Sequence, residues 1–270
     1  MQNLFQQIAQ SSTEKLGSSE RKCSICRKTL SPVEINILGV NRMVAVACKC
    51  ETDLLAKEER QRAKVEFIQK IQAYSDDDQM VPNASLDQAR HPGIHEAYVK
   101  LKDFAENLEG WKDKGLYIFG PNGTGKSSLL SAVAIKLRQQ GISVIYTTTS
   151  SLINRTSNKY TKLETLAAYK NAEVLIIDEI GADIPAHWEM SDLFEVLESR
   201  QDRIPTLYGS NLSVLELEKK YNERNKDWGT RLMERVLGGC DVVEVTGSSE
   251  RFDKYKKTKQ WADRQVNNHV

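Results

Sequence analysis

The sequence predicts an α/β fold: a parallel sheet with helices on both faces, preceded by a small cysteine-bearing segment and a helix. Three observations lead there. From about residue 85 short apolar runs alternate with stripes of helical period. A glycine-rich turn sits where one such run meets such a stripe, and four of the five cysteines fall within residues 23–50.

Taken in order, residues 1–20 are polar and rich in Gln and Ser, a weakly helical lead. Residues 21–50 hold the clustered cysteines, and the alternation in "MVAVACKC" reads as a short strand running into the second pair. Residues 51–74 are dense in helix formers, with Val65, Ile68 and Ile71 on one face. "SDDDQMVPNAS" then interrupts the pattern with acids, Pro82 and Asn83. The expected organisation is a 1–75 module, a 76–84 linker and an 85–270 domain. Within that domain, helices are expected at 94–108, 126–140, 162–171, 189–201 and 213–224. Strands are expected at 115–119, 142–146, 174–178, 206–211 and 241–245. Strands separated by helices in this way form parallel sheets.

Composition bounds the function. The 270 residues are 40% hydrophobic and 28% charged, as in an ordinary globular protein, and the net charge of +1 means that any nucleic-acid surface must be local. No apolar run reaches the roughly 18 residues of a membrane span, so no membrane partner is expected. The N-terminus lacks a basic region followed by an apolar one, which points to a cytoplasmic protein.

The glycine-rich turn is Gly120-Pro121-Asn122-Gly123-Thr124-Gly125-Lys126-Ser127, followed by Ser128, and it fits G-x-x-x-x-G-K-[ST] in full. Glycines let successive N–H groups point inward at phosphate oxygens, and the helix starting near Lys126 adds its positive end. Lys126 is expected to reach the β and γ phosphates, and the Ser127 hydroxyl to ligate magnesium. About fifty residues on, four apolar residues feed Asp178 and Glu179 at the carboxyl end of a strand. Asp178 suits magnesium, and Glu179 suits orienting and deprotonating a water that attacks the γ phosphate. The chain has no Asn-Lys-x-Asp guanine reader, so the expected nucleotide is ATP.

Cys23-x-x-Cys26 and Cys48-x-Cys50 stand 21 residues apart, a spacing that lets a hairpin bring four thiolates to one zinc ion. An iron–sulfur cluster and ordinary free thiols are the competing readings. Four ligands leave no open position, so zinc here would be structural. The lone Cys240 reads as a small buried hydrophobe. His91, His95, His187 and His269 form no second metal constellation.

Further motifs bring in a family resemblance. Ser210-Asn211, about thirty residues after the acids, resembles the sensor-1 strand of AAA+ ATPases, whose polar residue, here Asn211, faces the γ phosphate. "GTRLMERVLGG" resembles their arginine-finger segment, with Arg235 and then Arg231 offered to a neighbouring subunit. Arg251 resembles a sensor-2 arginine. Residues 85–255, with "IIDEIGAD", resemble the DnaC/DnaI/IstB branch of that family, an AAA+ P-loop fold without a C-terminal lid. The stretch after Asn211 is short for a lid as well. A cysteine-bearing segment ahead of the ATPase resembles DnaI-type helicase loaders more than IstB-type transposition helpers. The resemblance implies ATP hydrolysis, self-association of ATPase domains, a replicative hexameric helicase as partner, and single-stranded DNA. The branch uses a helix at about 151–171 for DNA, which here carries only Arg155, Lys159, Lys162 and Lys170, so weak binding resting on cations such as Arg155 and Lys159 is expected. Alternatives are an IstB-like regulator of a transposase and a non-hydrolysing ATP-gated adaptor.

Overall fold

A computed structural model describes residues 20–37, 39–88, 92–186, 189–247, 256, 258 and 259. The chain divides into two compact units, Met1–Val65 and Glu66–Val270. The boundary therefore falls earlier than the expected 75/85 division.

In the first unit, β1 (Arg21–Lys22) pairs antiparallel with β2 (Thr29–Leu30), and β3 (Val33–Ile37) with β4 (Val40–Val44). The strand expected to run into the second cysteine pair ends at Val44. Beyond it, side chains claim the backbone: Arg21 bonds Val46 O, and Cys48 N donates to Glu51. Helix α1 (Lys49–Gln72) then crosses the boundary between the units. Glu51 in its first turn and Lys70 in its last suit the helix dipole, and Ile71 is its only buried residue.

The second unit is the expected sheet. Its strands are β5 (Gly115–Phe119), β6 (Val144–Thr148), β7 (Val174–Asp178), β8 (Thr206–Ser210) and β9 (Cys240–Glu244). They lie in the order β6-β7-β8-β5-β9, every pairing parallel. Alternate residues sort onto two faces, as the pleat requires. Leu116, Ile118, Tyr146 and Ile176 face α2 (His95–Glu106) and α3 (Lys126–Gln139). Tyr117, Ile145, Leu175 and Tyr208 face the remaining helices. These are α4 (Thr149–Thr156), α5 (Lys162–Asn171), α6 (Met190–Arg200), α7 (Val214–Asn222) and α8 (Trp228–Leu237). Among the described residues no lid of packed helices follows β9.

Two expectations change. Residues 76–84 are no free linker: Asp76 is buried with bonds to Thr147 and Arg155, and Met80 joins the α2/α3 core. The helical region at 151–171 is two helices, α4 and α5; Tyr160, in the break between them, is 84% exposed, and Leu163, in the first turn of α5, 82%.

Candidate functional site

The glycine-rich turn lies between β5 and α3, and its backbone takes the left-handed conformations that glycine permits. Gly120 has φ +150°, and a Cβ there would meet Val245 O at 2.0 Å. Gly125, with φ +97°, caps α3 and offers no side-chain oxygen, so no side chain caps the first N–H groups of this 14-residue helix. Thr124 Oγ1 donates to Pro121 O at 2.8 Å, and Lys126 Nζ donates to Gly120 O (2.7 Å) and Pro121 O (2.8 Å). The ammonium is thereby held against the carbonyls of its own loop. Burial lowers the Lys126 pKa, while the charges of Asp178 and Glu179 act to raise it, so the three groups share one electrostatic site. Ser127 is half-buried and Ser128 exposed; Pro121 and Asn122 form the outer, exposed side of the turn.

The acids stand at the carboxyl end of β7, where parallel sheets present ligands. Strand β8 separates β7 from β5, so the Ser210-Asn211 corner lies between loop and acids. Asp178 is buried and both its oxygens are engaged: Oδ1 accepts from Glu179 N (2.9 Å) and Oδ2 from Tyr146 OH (2.6 Å). Glu179 is exposed with φ +56°, a left-handed conformation at which the extended strand ends. Ser210 Oγ donates to Ile180 O at 2.7 Å, tying β8 to the turn after Glu179, and Asn211 is exposed at the same corner. Lys220 of α7 braces the next stretch by donating to Ala182 O at 2.9 Å and to Gly181 O. The donor set, a half-buried hydroxyl and a buried carboxylate beside a glycine-rich loop and an uncapped helix start, fits magnesium with nucleotide phosphates.

Arg231 and Arg235 both rise from α8 over the Phe194 ring, 5.0 and 5.3 Å from its centroid. They differ in freedom. Arg235 also bonds Glu198 (3.3 Å) and Arg231 O (3.1 Å) and is mostly buried, whereas Arg231 is exposed. Arg251 lies outside the described residues.

Of the cations expected near DNA, three are occupied. Arg155 pairs with Asp76, Lys162 with Asp192 and Lys170 with Glu195. Lys159 lies 4.9 Å over the Tyr160 ring at the exposed α4–α5 break.

In the first unit, the four sulfurs of Cys23, Cys26, Cys48 and Cys50 lie within 4.8 Å of one another. Tetrahedral zinc with bonds of about 2.3 Å spaces its sulfurs by about 3.8 Å, and Cys26 and Cys48 already stand 3.6 Å apart. The N–H groups of Ile25 and Cys26 each donate to Cys23 Sγ at 3.4 Å, as a thiolate ligand would require. Glu51 joins the two cysteine pairs, bonding Ser24 N, Cys48 N and Arg21; the bond from Arg21 holds its carboxyl at about 2. The set fits a structural zinc ion. Cys240 is largely buried, and burial pushes its thiol up to about 12, so it is not a reactive nucleophile.

A family model described as IstB-like ATP binding protein matches residues 53–259. This chain belongs to that family. Within it, the chain is 30% identical over 162 residues to the replicative helicase loader DnaI of Bacillus subtilis, covering 56% of this chain and 52% of that one. It is 26% identical over 148 residues to the putative insertion sequence ATP-binding protein y4pL of Sinorhizobium fredii, 53% of this chain and 59% of that one. The IstB-like chain thus spans little more than half the length of the curated relatives it matches. A crystal structure of DnaI superposes with a TM-score of 0.55 at 28% identity, over 61% of this chain and 92% of that one. The AAA+ P-loop fold is therefore that of this chain, and its family binds ATP. Among the described residues no helix is long and apolar enough to cross a membrane.

Proposed function

We propose that this protein is an ATP-hydrolysing loader that grips a replicative hexameric helicase and helps place it on single-stranded DNA at replication initiation. One observation carries this reading: four converging thiols stand ahead of a nucleotide-binding sheet whose sequence is similar to a helicase loader. In this reading the zinc-bearing unit supplies a partner surface, since its described residues hold no catalytic constellation, and the sheet supplies the ATP-timed step.

The roles follow from position. Lys126 and the N–H groups of 123–128 hold the phosphates, while Ser127 and Asp178 hold magnesium, which supplies neutralising charge at the β and γ phosphates when bound. Glu179, exposed beside buried Asp178, accepts the proton of the attacking water. Asn211 orients that water or the γ phosphate from the β8 corner. Arg231 is the stronger candidate for the finger offered to a neighbouring ATPase, because Arg235 is tied to Glu198 of its own subunit. Single-stranded DNA fits the α4–α5 break, where Tyr160 offers a stacking face and Lys159 a charge. The site of action is the cytoplasm.

Full-length protein mixed with its cognate replicative helicase, ATP and circular single-stranded DNA should yield helicase loaded on the circles. Helicase that neither binds the protein nor reaches the circles would overturn the reading. The likeness to y4pL favours a second one, a regulator of a transposase, and retention of a transposase in place of helicase would establish it.

A further inference from the structure

Strand β6 is an outer strand of the sheet, and the chain arriving from α1 docks along its free side. Ser75 Oγ donates to Tyr146 O (3.1 Å) and accepts from Tyr146 N (2.9 Å) and from Arg138 (2.6 Å). Asp76 N donates to the same Tyr146 carbonyl at 2.8 Å. The backbone of Tyr146 is therefore clamped. Its ring is 1% exposed in the α2/α3 core, and its hydroxyl reaches across to β7 to donate to Asp178 Oδ2 at 2.6 Å.

We propose that Tyr146 is the positioning residue for Asp178, fixing the carboxylate that holds magnesium. The proposal rests on the nucleotide-site reading above. A carboxylate has about four lone-pair directions. The Glu179 amide takes one on Oδ1 and the Tyr146 phenol one on Oδ2, which stops rotation about the Cβ–Cγ bond and leaves the others in fixed directions. Partners that orient a ligand from behind typically change metal affinity by about 10–100-fold when removed. No other side chain among the described residues bonds the Asp178 carboxylate, so nothing replaces the phenol once it is gone.

The test is Tyr146→Phe in the full chain, which keeps the ring and removes only the hydroxyl. Binding of a fluorescent, non-hydrolysable ATP analogue is titrated with Mg2+, repeated in EDTA, and paired with Mn2+ binding read by electron paramagnetic resonance. The metal concentration at half-effect should rise by about tenfold while affinity in EDTA is unchanged. In an Asp178→Ala background, the same substitution should move the midpoint no further. A Tyr146→Phe midpoint equal to wild type, or a shift that persists undiminished without Asp178, overturns the proposal. Wild-type protein that binds the analogue without regard to metal overturns the nucleotide-site reading, and the proposal with it. Should Tyr146→Phe melt far below wild type, Ser75→Ala is read in the same titration. It leaves the phenol in place but loosens its strand, and should move the midpoint the same way; no movement there also overturns the proposal.

Discussion

Gly209→Ala should damage the nucleotide site without touching any residue that contacts nucleotide. Position 209 lies in β8, directly beside the acids. A Cβ there would stand 2.2 Å from Asp178 Oδ1 and 2.8 Å from Leu130 Cδ1. Ordinary contact is near 3.5 Å, so the carboxylate must retreat by about 1 Å. That retreat stretches the bonds from Glu179 N (2.9 Å) and Tyr146 OH (2.6 Å) toward the limit at which they cease to count. Overpacking of this kind costs about 1–3 kcal/mol. For a domain of about 200 residues each kcal/mol is about 2–4 °C, so Tm should fall by about 2–12 °C. Magnesium-dependent affinity for an ATP analogue should fall by about tenfold or more as the ligand leaves its place. Gly141→Ala is the control: φ is +76°, nothing lies within 4 Å of its Cβ, and it ends α3 far from the acids. Its left-handed strain of about 1–2 kcal/mol should lower Tm comparably and leave nucleotide affinity alone. A Gly209→Ala protein that melts lower yet binds the magnesium–nucleotide like wild type would refute the link between the place of Asp178 and binding.

Three further outcomes are expected. Glu179→Gln should keep ATP affinity and lower turnover by about a hundredfold or more, measured as phosphate release; undiminished turnover would remove Glu179 as the base. Arg231→Ala should abolish hydrolysis with Tm unchanged, and mixing with Lys126→Ala protein should restore some activity, whereas Arg235→Ala should chiefly lower Tm because Glu198 and Phe194 lose their partner. Mixing without rescue, in assemblies verified by sedimentation, would leave Arg231 without a role in trans. Freshly purified reduced protein should carry one zinc per chain by elemental analysis, and chelation should unfold residues 21–50 while ATP-analogue binding persists; metal-free protein would reject the four-thiolate assignment.

What was legible in the sequence is what local chemistry dictates. The 120–127 turn, the buried run into Asp178 and the cysteine pairs each declare themselves within a dozen residues, and the structure places them at strand ends or brings them together. The helix at 162–171 and the strand at 174–178 match their expected bounds, because apolar period and flanking breakers agree there. The segment 76–84 misled for the opposite reason. Three acids beside Pro82 and Asn83 read as solvated chain, yet Asp76 is buried against Arg155, 79 positions away. The same distant pairing ties the half-buried Arg155 to Asp76, so its charge is already partnered on the surface where DNA was expected. Tyr146 passed as one more strand aromatic, since its meeting with Asp178 across 32 positions exists only once β6 and β7 are in register. Period cannot distinguish Arg231 from Arg235, which share a helix face; only Glu198, on another helix, separates them.

The docking of Ser75 and Asp76 on β6 bears on how the protein should be cut. Along that margin Val144 O is taken by Arg138, and the amide and carbonyl of Tyr146 by Ser75 and Asp76. An expression fragment or protease product beginning at residue 80 would strip that cover and lose Ile71 and Tyr74 from the core as well. It would then present bare peptide groups to the next molecule, the condition under which sheets stick edge to edge. Clumping of such a fragment would be a defect of the cut, not a trait of the intact protein, and a fragment starting at Glu66 would avoid it.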